Sequence, residues 1–374
     1  MRFPEVAYMS WAKALPPAHI NLARSGIEAC PPSLLKLDPR DLVANLPAGY
    51  GYSPLRRAIG RRYGVDPDQV LPLSGGASLA NWVACATVLD GAPRGAEVIV
   101  ERPSYEPLLR IPQALGCRLL RLERRFEDGF GIDLQRFASL VNRKTRLAIV
   151  SNLHNPSGAR IEPATLVAMA EMLREVGAFL LVDEVYLECL FGRGIGSAVC
   201  LAPNVIVSNS LTKAYGLDGL RAGWMLGPEP QVRRAGKIYD LMGVNGVASG
   251  ELMALAAFRN LAAIRRRSQA ILRPNLQTVR RFLAGEERLA AVLPPGGNVL
   301  FPRLPGGLTG DRLARHLRER HSTLIVPGSF FEFPQHIRLG FGTSPALLKQ
   351  GLANLRQALD ELVGAGGRRR RPPA

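Results

Sequence analysis

Between residues 69 and 226 the chain alternates two hydrophobic patterns. Short, near-continuous apolar runs fall at 69–73, 97–100, 118–122, 146–150, 179–182, 205–207 and 222–226. Runs of this length bounded by turn residues read as strands buried on both faces. Between most of them lie stretches whose apolar residues recur every three or four positions, at 79–89, 107–115, 134–141 and 163–176. Those read as helices. Helices alternating with fully apolar strands predict a mostly parallel sheet covered on both faces. After Pro230 the pattern is helical to about 283; short strands and one helix follow over 294–341, and a terminal helix over 345–362. The expected fold is therefore α/β, without internal repeats or a long linker. A large domain over 46–284 would hold the central sheet and its flanking helices. A smaller α+β domain would combine 1–45 with 285–364, followed by a basic flexible tail, 365–374.

Composition narrows the class. At 374 residues and 47% hydrophobic, the chain can bury a large core. No uninterrupted apolar stretch approaches the ~20 residues of a membrane-spanning helix, and residues 1–17 lack a signal-peptide pattern. Five scattered cysteines (30, 85, 117, 189 and 200), without CxxC spacing, argue for a reducing cytoplasm and against a disulfide framework or a metal site. The net charge is +17. Its arginine pairs mostly interrupt helical apolar periodicity, as solvated faces do. They favour anionic small molecules over nucleic acid as partners.

Only six lysines stand against 42 arginines. One of them, Lys213, sits in the Gly-punctuated frame Ser210-Leu211-Thr212-Lys213-Ala214-Tyr215-Gly216, with Arg221 eight residues on. Such a lysine suggests a need for an amine, because a desolvated amine can form a Schiff base and a guanidinium cannot. Other candidates follow the predicted strands, where ligand sites of open α/β sheets lie. Ser74-Gly75-Gly76-Ala77-Ser78 opens a helix and suits an anion. Tyr105 offers an aromatic face. Asn155-Pro156-Ser157-Gly158 forms a turn. Asp183 ends a fully apolar strand, where a carboxylate is costly to bury without a cationic partner. Arg338 is a fork-shaped cation in an apolar strand, suited to a carboxylate. Each also has a plain structural reading: a surface lysine, an ordinary glycine turn, a half-buried tyrosine, a strand-end acid facing water.

Taken in order, these motifs resemble the class I/II aminotransferase family of fold-type I enzymes dependent on pyridoxal 5'-phosphate (PLP), over roughly residues 20–362. The resemblance implies that Lys213 binds the cofactor and is catalytic, and that Asp183 pairs with its ring nitrogen. Tyr186 and Asn155 would reach its ring oxygen and Tyr105 would lie against the ring. Gly75, Gly76, Ala77, Ser78, Ser210 and Arg221 would hold the phosphate. Arg338, Asn155 and Gly26 would bind the substrate. The implied reaction moves an amino group between an amino acid and a 2-oxo acid by a ping-pong mechanism. The implied assembly is a homodimer with the site at the interface. One departure is Leu46, where members often carry a tyrosine reaching the neighbouring subunit; Tyr50 and Tyr52 stand nearby.

Two other readings remain at this point. His154-Asn155-Pro156 is similar to a turn of some PLP-dependent carbon–sulfur β-lyases, although Leu153 departs from that pattern. A PLP-fold DNA-binding regulator would fit the charge, but residues 1–45 are too few for its helix-turn-helix domain.

Overall fold

The computed structural model describes residues 3–47, 49–192 and 196–364, so the expected tail 365–374 lies outside the described residues. Seven strands form the central sheet: β1 (Val70–Ser74), β2 (Glu97–Arg102), β3 (Arg118–Glu123), β4 (Thr145–Ser151), β5 (Phe179–Asp183), β6 (Val205–Ser210) and β7 (Ala222–Leu226). Their order is β1-β7-β6-β5-β4-β2-β3. β7 runs antiparallel to β1 and β6, and every other pairing is parallel. The sheet is thus the mostly parallel one that the apolar runs predict.

The inner strands are apolar on both faces because both are covered. On β4, Leu147 and Ile149 join one core with Leu181 and Ile206, while Ala148 and Val150 join another with Leu180, Val182 and Val207. That is the two-residue alternation of a pleated strand. Helices Gly76–Leu89, Glu106–Ala114 and Glu229–Asp240 pack in the first core, through residues such as Val83, Leu108 and Val232. Helices Ser53–Tyr63, Pro163–Glu175, Ala248–Arg259 and Leu261–Ala284 pack in the second, through Ile59, Met169, Leu255 and Leu272.

Several strands run past their apolar runs onto a polar residue. β4 ends on Ser151, β5 on Asp183 and β6 on Ser210, because the ladder continues through Ser151 opposite Asp183 and Asp183 opposite Ser208. Backbone pairing is indifferent to side-chain polarity. These polar ends line up along one edge of the sheet. The helix after β1 likewise starts at Gly76, three residues before its apolar periodicity begins.

A separate three-stranded antiparallel sheet is formed by Val326–Pro327, Ile337–Gly340 and Val299–Leu300. The N-terminal segment joins this part of the molecule: Ile20–Asn21 pairs in parallel with Thr323–Leu324, and Gly340 N donates to Leu22 O at 2.7 Å. The approach is so close that a Cβ on Gly340 would lie 1.9 Å from Arg24 O. Among the described residues, no helix is long and apolar enough to cross a membrane.

Candidate active site

At the carboxyl ends of β4, β5 and β6 a cavity of about 260 Å³ opens between the central sheet and the N-terminal segment. Ala77, Ser78, Tyr105, Asn155, Asp183, Tyr186, Lys213 and Arg221 all line it, so residues spread over 145 positions (221 minus 77 plus one) meet at one place.

Lys213 lies in the loop between β6 and β7, and its Nζ donates to Ser25 Oγ at 3.0 Å. Burial pushes the amine down to about 8, helped by the charges of Arg338, Arg221 and Arg24 and opposed by Asp218. Gly26 abuts the stem of this side chain; a Cβ there would lie 4.0 Å from Lys213 Cδ.

Asp183 is buried where β5 ends. Asn81 Nδ2 donates to its Oδ2 at 2.8 Å, and Val185 N donates to Oδ1 at 3.1 Å. Burial raises its carboxyl above the usual range, against the pull of those two donors and of Lys213. Asn81 is itself held by Ser208 Oγ, which donates to Asn81 Oδ1 at 2.5 Å. Tyr186 is buried beside Asp183 and Arg338, and burial raises its phenol. Tyr105 caps helix Glu106–Ala114 and meets Tyr8 edge-on, ring centroids 6.1 Å apart.

The turn after β1 and the loop around Arg221 close one end of the cavity. Arg221 Nη2 donates to Gly75 O at 2.8 Å, and Gly76 N donates back to Arg221 O at 2.8 Å. Gly75 N is taken by Leu73 O at 3.0 Å. The Gly75 and Gly76 amides are therefore spent, one within the turn and one on the Arg221 loop, and it is Ala77 and Ser78, in the first turn of the helix, that face the cavity. Ser210 lies one layer back, its Oγ 2.7 Å from the Oγ1 of the cavity-lining Thr212. Gly223 is needed here: a Cβ on it would lie 2.4 Å from Gly76 C.

Arg338 is buried on strand Ile337–Gly340. Its Nη1 donates to Asn155 Oδ1 at 3.1 Å, and its Nη2 donates to Tyr8 OH at 2.8 Å and to Ala23 O at 3.2 Å. Its Nε has no partner among the described residues. His154, one residue from Asn155, is turned away. Its Nε2 donates to Pro103 O at 3.0 Å and its Nδ1 pairs with Ser157 Oγ at 2.6 Å. Burial and the nearby Arg124 charge hold this imidazole well below its ordinary range, so it is neutral and wholly engaged.

Residues 30–355 match the family described as aminotransferase class I and II. The chain belongs to the class I and II aminotransferases. Relatives include an arginine–pyruvate transaminase of Pseudomonas aeruginosa, 30% identical over 84% of this chain and 82% of that protein. A capreomycidine synthase of Streptomyces vinaceus is 29% identical over 86% and 81%. Among solved structures, a PLP-dependent aminotransferase from Streptococcus suis superposes with a TM-score of 0.89 at 26% identity, over 96% of this chain and 99% of that one. The PLP-dependent cyclase OrfR gives 0.87 at 29% identity, over 96% and 98%. This class I and II aminotransferase is accordingly a PLP-dependent enzyme of amino acids and 2-oxo acids.

The residues present fit the cofactor. A buried carboxylate whose direct donors are neutral, at Asp183, has the chemistry to pair with a protonated ring nitrogen. A helix N-terminus and a guanidinium meet where a phosphate would be held, and a desolvated amine lines the same cavity. Asn81 and Ser25 carry no signal in the sequence that points to the site.

Proposed function

We propose that the cavity around Lys213 is the transaminating centre, with Lys213 Nζ as both the attachment point of PLP and the group that moves the substrate's α-proton. The observation that carries this reading is that Lys213 lines one cavity with Asp183, Tyr186 and Arg221, where burial lowers its amine to about 8 and leaves a reactive neutral fraction near physiological pH. PLP, when bound, acts as the sink for the electron pair left at the substrate's α-carbon. Asp183 would hold the ring nitrogen protonated, and Asn81 keeps the Asp183 carboxylate aimed. Tyr186 and Asn155 would donate to the ring oxygen and Tyr105 would cover the ring. Ala77, Ser78 and Arg221 would take the phosphate, with Gly75, Gly76 and Ser210 supporting them. Arg338 and Asn155 would bind the substrate's α-carboxylate, and Gly26 leaves it room.

Beyond Tyr8 the cavity adjoins a second one of about 540 Å³, also lined by Arg24, Ser25, Lys213 and Asp218. The substrate side chain would lie there. Exposed apolar residues at Leu42, Val43, Tyr50, Leu241, Val244 and Val247 support a homodimer. Tyr50 OH is anchored on Asp240 Oδ2 at 2.9 Å, whereas Tyr52 is half-buried against the core. Tyr50 is therefore the better candidate to replace the tyrosine absent at Leu46.

The test is a half-reaction. PLP-loaded protein given one amino acid and no acceptor should release about one equivalent of 2-oxo acid per site and stop, and a 2-oxo acid should restart it. Continuous release of pyruvate and sulfide from cysteine, or of a cyclised product, with no acceptor present would contradict transamination. A cyclised product is a relevant outcome because the cyclase OrfR shares the fold and over a quarter of the sequence.

A further inference from the structure

Glu101, near the end of β2, and Arg124, one residue beyond β3, are both 0% exposed. Arg124 Nη1 donates to Glu101 Oε2 at 2.6 Å, and Arg124 Nε donates to Phe130 O at 2.6 Å. Arg124 Nη2 has no partner among the described residues. Removing two charges from water costs several kcal/mol each, and apolar replacements of such pairs are often as stable or more so. Stability alone is thus a poor account of this pair, and its other contacts are informative.

The second oxygen of Glu101 is committed to β4. Glu101 Oε1 accepts from both Ser151 N at 2.8 Å and Ser151 Oγ at 2.5 Å. With its proton so directed, Ser151 Oγ is left to accept, and it accepts from Asn155 N at 3.0 Å. Asn155 Oδ1 in turn accepts from Arg338 Nη1 at 3.1 Å. The chain of contacts runs Arg124, Glu101, Ser151, Asn155, Arg338, across three neighbouring strands and into the separate small sheet. Its direction depends on Glu101 being an acceptor only; an ionised carboxylate has no proton to offer. His154 Nε2 lies 3.8 Å from Glu101 Oε2, but it donates to Pro103 O, so Arg124 supplies the countercharge.

We propose that the buried Glu101–Arg124 pair is a positioning device for the substrate-carboxylate clamp: through Ser151 it fixes the turn bearing Asn155 and hence the guanidinium plane of Arg338. Glu101 and Arg124 do not line the cavity and are positioning residues. The inference rests on the reading of Arg338 and Asn155 as that clamp.

The test uses PLP-loaded protein and 2-methylalanine, which carries an α-carboxylate but no α-hydrogen, so that binding is read by calorimetry without turnover. Glu101→Gln keeps the shape and removes the charge. Ser151→Ala cuts the link while leaving the pair intact, and so covers the case in which Glu101→Gln does not fold. Both should weaken 2-methylalanine binding and raise KM for the amino donor about fivefold to tenfold, as loss of one hydrogen bond does. The kcat should fall by less than KM rises, and the cofactor absorbance should shift slightly, because Asn155 is also placed on the ring oxygen. Wild-type 2-methylalanine affinity in Ser151→Ala would overturn the proposal, as would a lowered thermal midpoint with KM unchanged in Glu101→Gln. Arg338→Gln separates the two layers. If it loses binding while Ser151→Ala does not, the clamp stands and the positioning role falls. If Arg338→Gln binds as the wild type does, the clamp reading itself is wrong.

Discussion

Asn81 Nδ2 donates to Asp183 Oδ2 at 2.8 Å, joining a helix on one face of the sheet to the end of its central strand β5. Because Ser208 Oγ occupies the Asn81 oxygen, the Asn81 amide can present only its NH₂ to Asp183. The acid is thereby held as an acceptor, in the state that pairs with a protonated ring nitrogen. Asn81→Ala removes a hydrogen bond to a buried charge, worth ~1.5–3 kcal/mol. The expected result is PLP held about tenfold to a hundredfold more weakly, measured by cofactor titration of the apoprotein. Unchanged retention would remove Asn81 from the site's machinery.

The Lys213 amine sets a pH dependence. Only the neutral amine attacks a carbonyl, and burial depresses this group from 10.5 to about 8. Below about 8 the charged form dominates and PLP capture by the apoprotein should be slow; the rate should climb through 8 and flatten above it. Stopped-flow absorbance against pH measures this. A rate still climbing steeply toward 10.5 would mean an ordinary, solvated lysine.

Gly223→Ala is expected to destabilise the fold and disturb the phosphate end together. Its Cβ would meet Gly76 backbone atoms at 2.4–2.7 Å, where neither β7 nor the β1 turn has a flexible side chain to yield. Overpacking of this kind costs ~1–3 kcal/mol, visible as a lower thermal midpoint together with weaker PLP retention. A wild-type midpoint would show that the two backbones can separate.

Tyr8 tests the second support of the clamp. Its hydroxyl accepts from Arg338 Nη2 at 2.8 Å, and the guanidinium lies 5.3 Å from its ring centroid. Tyr8→Phe keeps the ring and loses the acceptor, so KM for the amino donor should rise about threefold to tenfold with kcat little changed. A fall in kcat at constant KM would instead give Tyr8 a part in the chemical step.

How much of this was legible in the sequence differs residue by residue. The central strands were, because a strand buried on both faces has no polar position to blur it, as in Leu147 to Val150. Asp183 and Lys213 were, because a lone charge after an apolar run and a scarce amine among arginines are local anomalies. Asn81 was not: a polar residue within a helical run carries no sign of an acid 102 positions away. Ser25 and the contact of Tyr8 with Arg338 were hidden for the same reason, the partners lying 188 and 330 positions apart. The expected phosphate turn was named whole, 75–78, because glycine marks where a backbone can turn without telling which amides remain free afterwards. Gly75 and Gly76 shape the turn, and Ala77 and Ser78 face the cavity.

Lys213 as the carrier of the cofactor is tested most directly by one measurement. The PLP-loaded protein is reduced with borohydride, digested, and its peptides are mapped by mass spectrometry. The predicted result is a pyridoxyl-phosphate mass on the peptide containing Lys213, lost in Lys213→Ala while the variant keeps its fold by circular dichroism. A label on any of the other five lysines, or a labelled Lys213→Ala protein that still turns over, would contradict it.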